Sequence, residues 1–176
     1  VHLLRPSASV TLGPLQVQPF SVPHDAANPV GYRIETDEGG VGYATDLGHF
    51  DDTIEARLSG LDALVLESNH CPDLLATGPY PGYLKRRVAG PKGHLSNPQA
   101  RALLSRLLHP DLRYLALAHL SGTNNTPETV VAGLADLLAD LPRDAWAVGS
   151  RADALDPVQL EGRAPVKRAG QLDLPW

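Results

Sequence analysis

Gly93-His94-Leu95-Ser96-Asn97-Pro98 and Ala118-His119-Leu120-Ser121 carry the same tripeptide, His-Leu-Ser, with one amphipathic helix and one apolar strand between the copies. Asn97 is placed to cap that helix and Pro98 suits its first position. Leu103, Leu104, Leu107 and Leu108 then line one face until His109-Pro110 ends it. About 12 residues at roughly 1.5 Å each carry the chain about 18 Å away. The run Arg113-Tyr114-Leu115-Ala116-Leu117-Ala118 suits a buried strand, which returns about 20 Å at roughly 3.3 Å per residue. The two displacements cancel. His119 is therefore expected on the edge that His94 left, beside an open helix N-terminus, where α/β folds hold anions and metals.

The same reading extends upstream. Val41-Gly42-Tyr43-Ala44-Thr45 reads as a strand ending in Asp46, and Asp52 with Glu55 reads as the capped start of a helix that stops near Ser59-Gly60. Ala63-Leu64-Val65-Leu66 then forms a second strand that ends in Glu67-Ser68-Asn69-His70. A strand, helix and strand of these lengths predict a right-handed crossover with parallel pairing. That places Asp46, Glu67 and His70 at carboxyl ends of neighbouring strands. Leu15-Gln16-Val17-Gln18-Pro19-Phe20 alternates like a half-exposed strand leading to His24-Asp25, and Tyr32-Arg33-Ile34-Glu35 pairs with residues 41–45 as a hairpin. Trp146-Ala147-Val148-Gly149 reads as a last strand. Residues 151–176 read as an irregular tail, with a short strand over 158–160 as its one candidate element. The class is α/β, in a single domain.

Composition narrows the functions. The 176 residues are 43% hydrophobic and 20% charged, enough for one ordinary core. One cysteine, Cys71, excludes an internal disulfide framework and suits a reducing cytoplasm. No apolar run is long enough to span a bilayer, so no membrane partner is expected. A net charge of -5 argues against a broad nucleic-acid grip, but Lys85, Arg86, Arg87 and Lys92 form an acid-free basic run just before His94. His24, Asp46 and His119 have the donor chemistry that binds zinc, or manganese where carboxylate is present. They lie far apart in sequence, so any such site is assembled by the fold.

Taken together, Ala44-Thr45-Asp46-Leu47-Gly48, Glu67-Ser68-Asn69-His70, Gly78-Pro79-Tyr80-Pro81 with Leu84-Lys85, Gly93-His94-Leu95-Ser96-Asn97, and Ala118-His119-Leu120-Ser121 with Asn124-Asn125 resemble the metallo-β-lactamase-fold hydrolases of the YycJ/WalJ type. The resemblance runs from about His24 to Asn125. It implies an αββα sandwich, of which this chain covers mainly the C-terminal half, and a site for two divalent metal ions, zinc or manganese. It also implies kinship to ribonuclease Z, ribonuclease J and DNA-processing nucleases, with a 5′ exonuclease acting on DNA in this branch. A metal-bridging hydroxide would attack phosphorus. By position, His24 and His119 match metal ligands, Asp46 matches the bridging carboxylate, and His94 matches a histidine that assists phosphodiester cleavage. Asn69, His70, Ser96, Asn97 and Lys85 are the candidates for substrate contacts.

Two features depart from the pattern. Cys71 stands where relatives carry aspartate after Asn-His. The His-x-His-x-Asp-His signature that supplies most ligands in the superfamily is absent from the segment before His24, and the chain contains no methionine. The expectation is a C-terminal part of a longer protein, whose N-terminal segment is its first partner and which could form oligomers. DNA is expected as substrate ahead of RNA. The alternatives are a small-molecule ester or thioester hydrolase of the same fold, and a non-catalytic binding or structural remnant.

Overall fold

A computed structural model describes residues 8–150, 155 and 158–160. Seven strands form one sheet in chain order: β1 (Val10–Leu12), β2 (Leu15–Ser21), β3 (Val30–Thr36), β4 (Gly39–Ala44), β5 (Ala63–Glu67), β6 (Tyr114–Ala118) and β7 (Trp146–Val148). The first four are an antiparallel meander, and β4 to β7 run parallel. Each parallel step is bridged by helix: α1 (Asp52–Leu58), then α2 (Pro72–Thr77), α3 (Gly82–Val88) and α4 (Asn97–Leu107), then α5 (Pro127–Gly133) and α6 (Ala135–Ala139). Right-handed crossovers that always advance in one direction leave all their helices on one face of the sheet.

Register separates the two faces. On the helix side Leu64, Leu115 and Trp146 share one row, and Ala44, Leu66, Leu117 and Val148 share the next. These residues join Ile54, Leu58, Leu103, Leu104, Leu107, Val130 and Leu134 in the core. Glycine lets the layers meet there, since a Cβ at Gly42 would stand within 2.9 Å of Leu58, Leu61 and Leu64 side chains. The opposite face is also apolar: Val17, Ile34, Val41 and Ala63 share one row, and Pro19, Tyr32, Tyr43, Val65 and Ala116 the next. None of these joins the cluster packed under the helices: Val17, Ala63 and Ala116 are buried, Ile34, Val41 and Val65 are half-buried, and Tyr43 is 40% exposed. A two-sheet sandwich buries such a face under its second sheet; among the described residues only one sheet is present.

Several local expectations need correction. Ser96, not Asn97, caps α4: its hydroxyl accepts from Gln99 N and the Gln99 side chain takes the Ser96 N–H, a reciprocal capping box. Asp51 caps α1 by accepting from Ile54 N at 2.9 Å. Within the basic run Lys85, Arg86 and Arg87 form the last turn of α3, where cations complement the helix dipole, and Lys92 lies in the turn that follows. Residues 158–160 form no strand; the other residues of the expected tail, save 155, lie outside those described.

Candidate metal centre

Three histidines and an aspartate meet at the carboxyl ends of β4, β5 and β6. The ring centroids of His24 and His94 are 4.9 Å apart, and those of His94 and His119 are 5.1 Å apart. Asp46 Oδ1 lies 3.5 Å from His24 Nε2, 3.7 Å from His119 Nε2 and 3.8 Å from His94 Nδ1. Two overlapping donor sets result, His24 with Asp46 and His94, and Glu67 with His94 and His119. The backbone is held out of its usual range to make this arrangement. Asp46 (φ 56) and His119 (φ 58) are the two non-glycine residues with positive φ among those described. Such conformations cost on the order of 1–3 kcal/mol each and concentrate at functional sites.

Glu67 organises the cluster. The sequence shows it at a strand end with no signal of a role, yet its carboxylate is fully buried. Oε1 accepts from His94 Nδ1 at 2.8 Å and from His119 Nδ1 at 2.7 Å, while Oε2 accepts from the backbone N–H of Leu47 and Leu95. Burial pushes this carboxyl up, but the bonds from His119 and His94 outweigh it and hold it below the ordinary glutamate value. The same bond raises the pKa of His119 against the opposing effect of burial. A carboxylate accepts only, so Nδ1 carries the proton in both rings and Nε2 keeps a lone pair in the neutral form. His24 is set the same way, with Nδ1 donating to the carbonyl of Gly93 at 2.8 Å. Although Glu67 lies within ligand range, its hydrogen bonds make it the orienting carboxylate rather than a metal donor.

Close loop packing keeps these parts in place. Gly48 N donates to Pro23 O beside His24 at 2.8 Å, and His94 N donates to Val88 O at 2.9 Å. A Cβ at Gly48 would stand 2.5 Å from Pro91 O, and one at Gly93 would stand 2.2 Å from the carbonyl oxygens of Arg87 and Val88. Gly48 lets the loop bearing Asp46 reach the residues just before His94, and Gly93 lets the loop bearing His94 close on the end of α3. The segment after β5 lies between the two His-Leu-Ser loops, as Asn69 N bonds Leu95 O and Ser121 N bonds Asn69 O.

The five candidates for substrate contact divide. Asn69 donates from Nδ2 to His119 O and lines a cavity of about 660 Å³ that begins at His94 and His119. His70 is 2% exposed and kept neutral mainly by burial. Ser96 is engaged in its capping box, and the Asn97 amide is inside a buried network with Ser68 and Asn125. The expected open helix N-terminus is closed, because Ser96, Asn97 and Gln99 N–H groups all have partners within the chain. Lys85 donates from Nζ to Ala76 O at 2.6 Å, and Arg87 pairs with Asp25 through two nitrogens. Asp25 in turn stands 3.5 Å from His24 Nε2.

Comparison with known proteins agrees with this picture. Residues 1–119 match the model of the β-lactamase superfamily domain. The chain is 32% identical over 130 residues to exodeoxyribonuclease YycJ of Bacillus anthracis, covering 74% of this chain and 49% of that protein. It is 30% identical over 138 residues to exodeoxyribonuclease WalJ of Streptococcus pneumoniae, covering 78% of this chain and 51% of that one. The chain thus spans about half the length of the curated relatives it matches. Among solved structures, the metallo-β-lactamase fold protein YhfI of Bacillus subtilis superposes with a TM-score of 0.61 at 16% identity, over 83% of this chain and 51% of that one. Zinc-bound PqqB of Methylobacterium extorquens gives 0.55 at 21% identity, over 83% and 48%. The chain belongs to the β-lactamase superfamily, as a metallo-β-lactamase-fold protein of the YycJ/WalJ type.

Proposed function

We propose that the protein is a metal-dependent phosphodiesterase that degrades DNA from the 5′ end, with divalent ions, zinc or manganese, held at the His24, Asp46 and His119 cluster. The observation that carries this reading is the placement of a single carboxylate oxygen of Asp46 within 3.8 Å of three imidazoles. The tautomers of all three rings are set from behind by Glu67 and the Gly93 carbonyl. In the intact protein this donor set would supply part of the site for a pair of divalent ions: His24 and His119 each turn Nε2 toward Asp46, and these three side chains would hold the ions together with further donors, since three are too few for two ions. When bound, such a pair lowers the pKa of water and steadies both attacking and leaving oxygens.

The remaining work falls to the chain. His94 turns its Nδ1, not its Nε2, toward Asp46 and is already tied to Glu67 through that atom. Its Nε2 is thereby left to protonate the departing oxygen or to hold a phosphoryl oxygen, with Glu67 stabilising the charged ring. Asn69 contacts substrate from the cavity wall. The names of the relatives support DNA as the substrate class, and the single cysteine suits a cytoplasmic setting. The test is steady-state kinetics of the intact protein on duplex DNA, RNA and a small thioester. Preferential release of nucleotides from a 5′ end supports the proposal, whereas turnover of the thioester alone selects the small-molecule hydrolase. Failure on all three selects a non-catalytic role.

A further inference from the structure

We infer that the cavity beside His94 and His119 receives the terminal nucleoside of the strand being cleaved, with Tyr80 as the stacking surface for its base; this rests on the nuclease reading above. The cavity, about 660 Å³, has one wall at the histidines and lies within the size range of pockets for molecules as large as a nucleoside. Its other walls mix apolar Tyr80, Val88 and Leu120 with polar Asn69 and Ser121. No lysine or arginine lines it among the described residues, and the nearby cations Lys85 and Arg87 are engaged with Ala76 O and Asp25. Beyond the two histidines the described lining carries no cation, which suits phosphate poorly. The cavity suits the uncharged, flat and partly polar part of a nucleotide, whose phosphate would sit at the adjoining cluster.

Tyr80 is built to serve as such a surface. It lies between Pro79 and Pro81, whose rings restrict the backbone on both sides. Pro81 also forms the N-cap of α3, and Gly78 the C-cap of α2. A Cβ at Gly78 would meet Leu74 O at 2.6 Å and Asn124 Oδ1 at 2.7 Å, so the turn is pressed against the loop that follows His119. An aromatic ring held on so rigid a turn loses little freedom when a base stacks on it.

The experiment compares 5′-phosphorylated oligonucleotides that end in adenosine or in an abasic tetrahydrofuran residue, using the intact protein and its Tyr80→Phe and Tyr80→Ala variants. In the wild type and in Tyr80→Phe, the abasic end raises KM about 5- to 150-fold, the range for losing one stacked base. In Tyr80→Ala the adenosine end loses that advantage, so the two ends share one KM. Wild-type cleavage that is indifferent to the terminal base overturns the pocket assignment but leaves the nuclease reading intact. So does a Tyr80→Ala variant that slows both ends equally. A wild-type protein that cleaves neither oligonucleotide overturns both.

Discussion

Glu67 is the residue on which the site turns, and its role follows from an elementary cost. A carboxylate at the end of the apolar strand Ala63–Glu67 is taken wholly out of water and must find partners. It finds four, two of them histidines. Glu67→Gln keeps the shape but removes the charge that orients both rings. Metal affinity measured by competition with a chromophoric chelator should fall about 10- to 100-fold, as for other outer-shell partners of ligating histidines. The pKa shifts give a second prediction for the metal-free protein. His119, raised above 6.5, contributes stability that is present below 6.5 and lost as pH rises through its raised value. Glu67, lowered below 4.5, contributes stability that is present above 4.5 and lost as pH falls through its lowered value. Thermal melts in chelator should therefore show this pair contributing most between about pH 4.5 and 6.5, with Glu67→Gln flattening the profile. Roles also separate by substitution. His119→Ala should lose metal and activity together, whereas His94→Ala should retain metal while turnover drops on the order of 10²-fold or more. Elemental analysis beside kinetics decides it, and equal metal loss in both variants would make His94 a ligand.

At the scale of elements, the strands were the most legible part of the sequence. Ala63–Glu67 and Tyr114–Ala118 are apolar runs bounded by polar residues, and the length match between α4 and β6 is enough to bring His94 and His119 to one edge. The short helices α2 and α3 were not legible. Neither has a side-chain cap bond, and α3 has no buried residue to give it an apolar stripe. Bonds to neighbouring segments, Lys85 to Ala76 O and Arg87 to Asp25, tie α3 in place where periodicity gives no signal. Nor could the sequence distinguish Ser96 from Asn97 as the cap, since both residue types favour it; the buried Ser68, Asn97 and Asn125 network decides by taking the Asn97 side chain inward. Asn125→Ala would leave the Asn97 amide and the Ser68 carbonyl buried without that partner, at a cost of about 1–3 kcal/mol read by denaturant unfolding. Gly93→Ala tests the loop contact. Its methyl group would strike the carbonyls of Arg87 and Val88, so the loop bearing His94 must move, and activity should drop although no reacting group has been removed.

For the molecule as a whole, the sheet has one face covered by helices and one apolar face that the helices do not cover, where Tyr43 is exposed and Ile34, Val41 and Val65 are half-buried. These 176 residues expressed by themselves should associate through that face, and Val41→Lys with Tyr43→Lys should shift them toward monomer in sedimentation. A compact wild-type monomer at high concentration would contradict the assignment of the face. The cluster's chemistry is the central claim, and chelation followed by metal rescue tests it most directly. Intact wild-type protein stripped of metal should release no nucleotide from 5′-labelled DNA and should regain that activity on adding zinc or manganese, while Asp46→Asn, having lost the bridging carboxylate, should not. Cleavage that survives complete chelation, or full rescue of Asp46→Asn, would contradict the account.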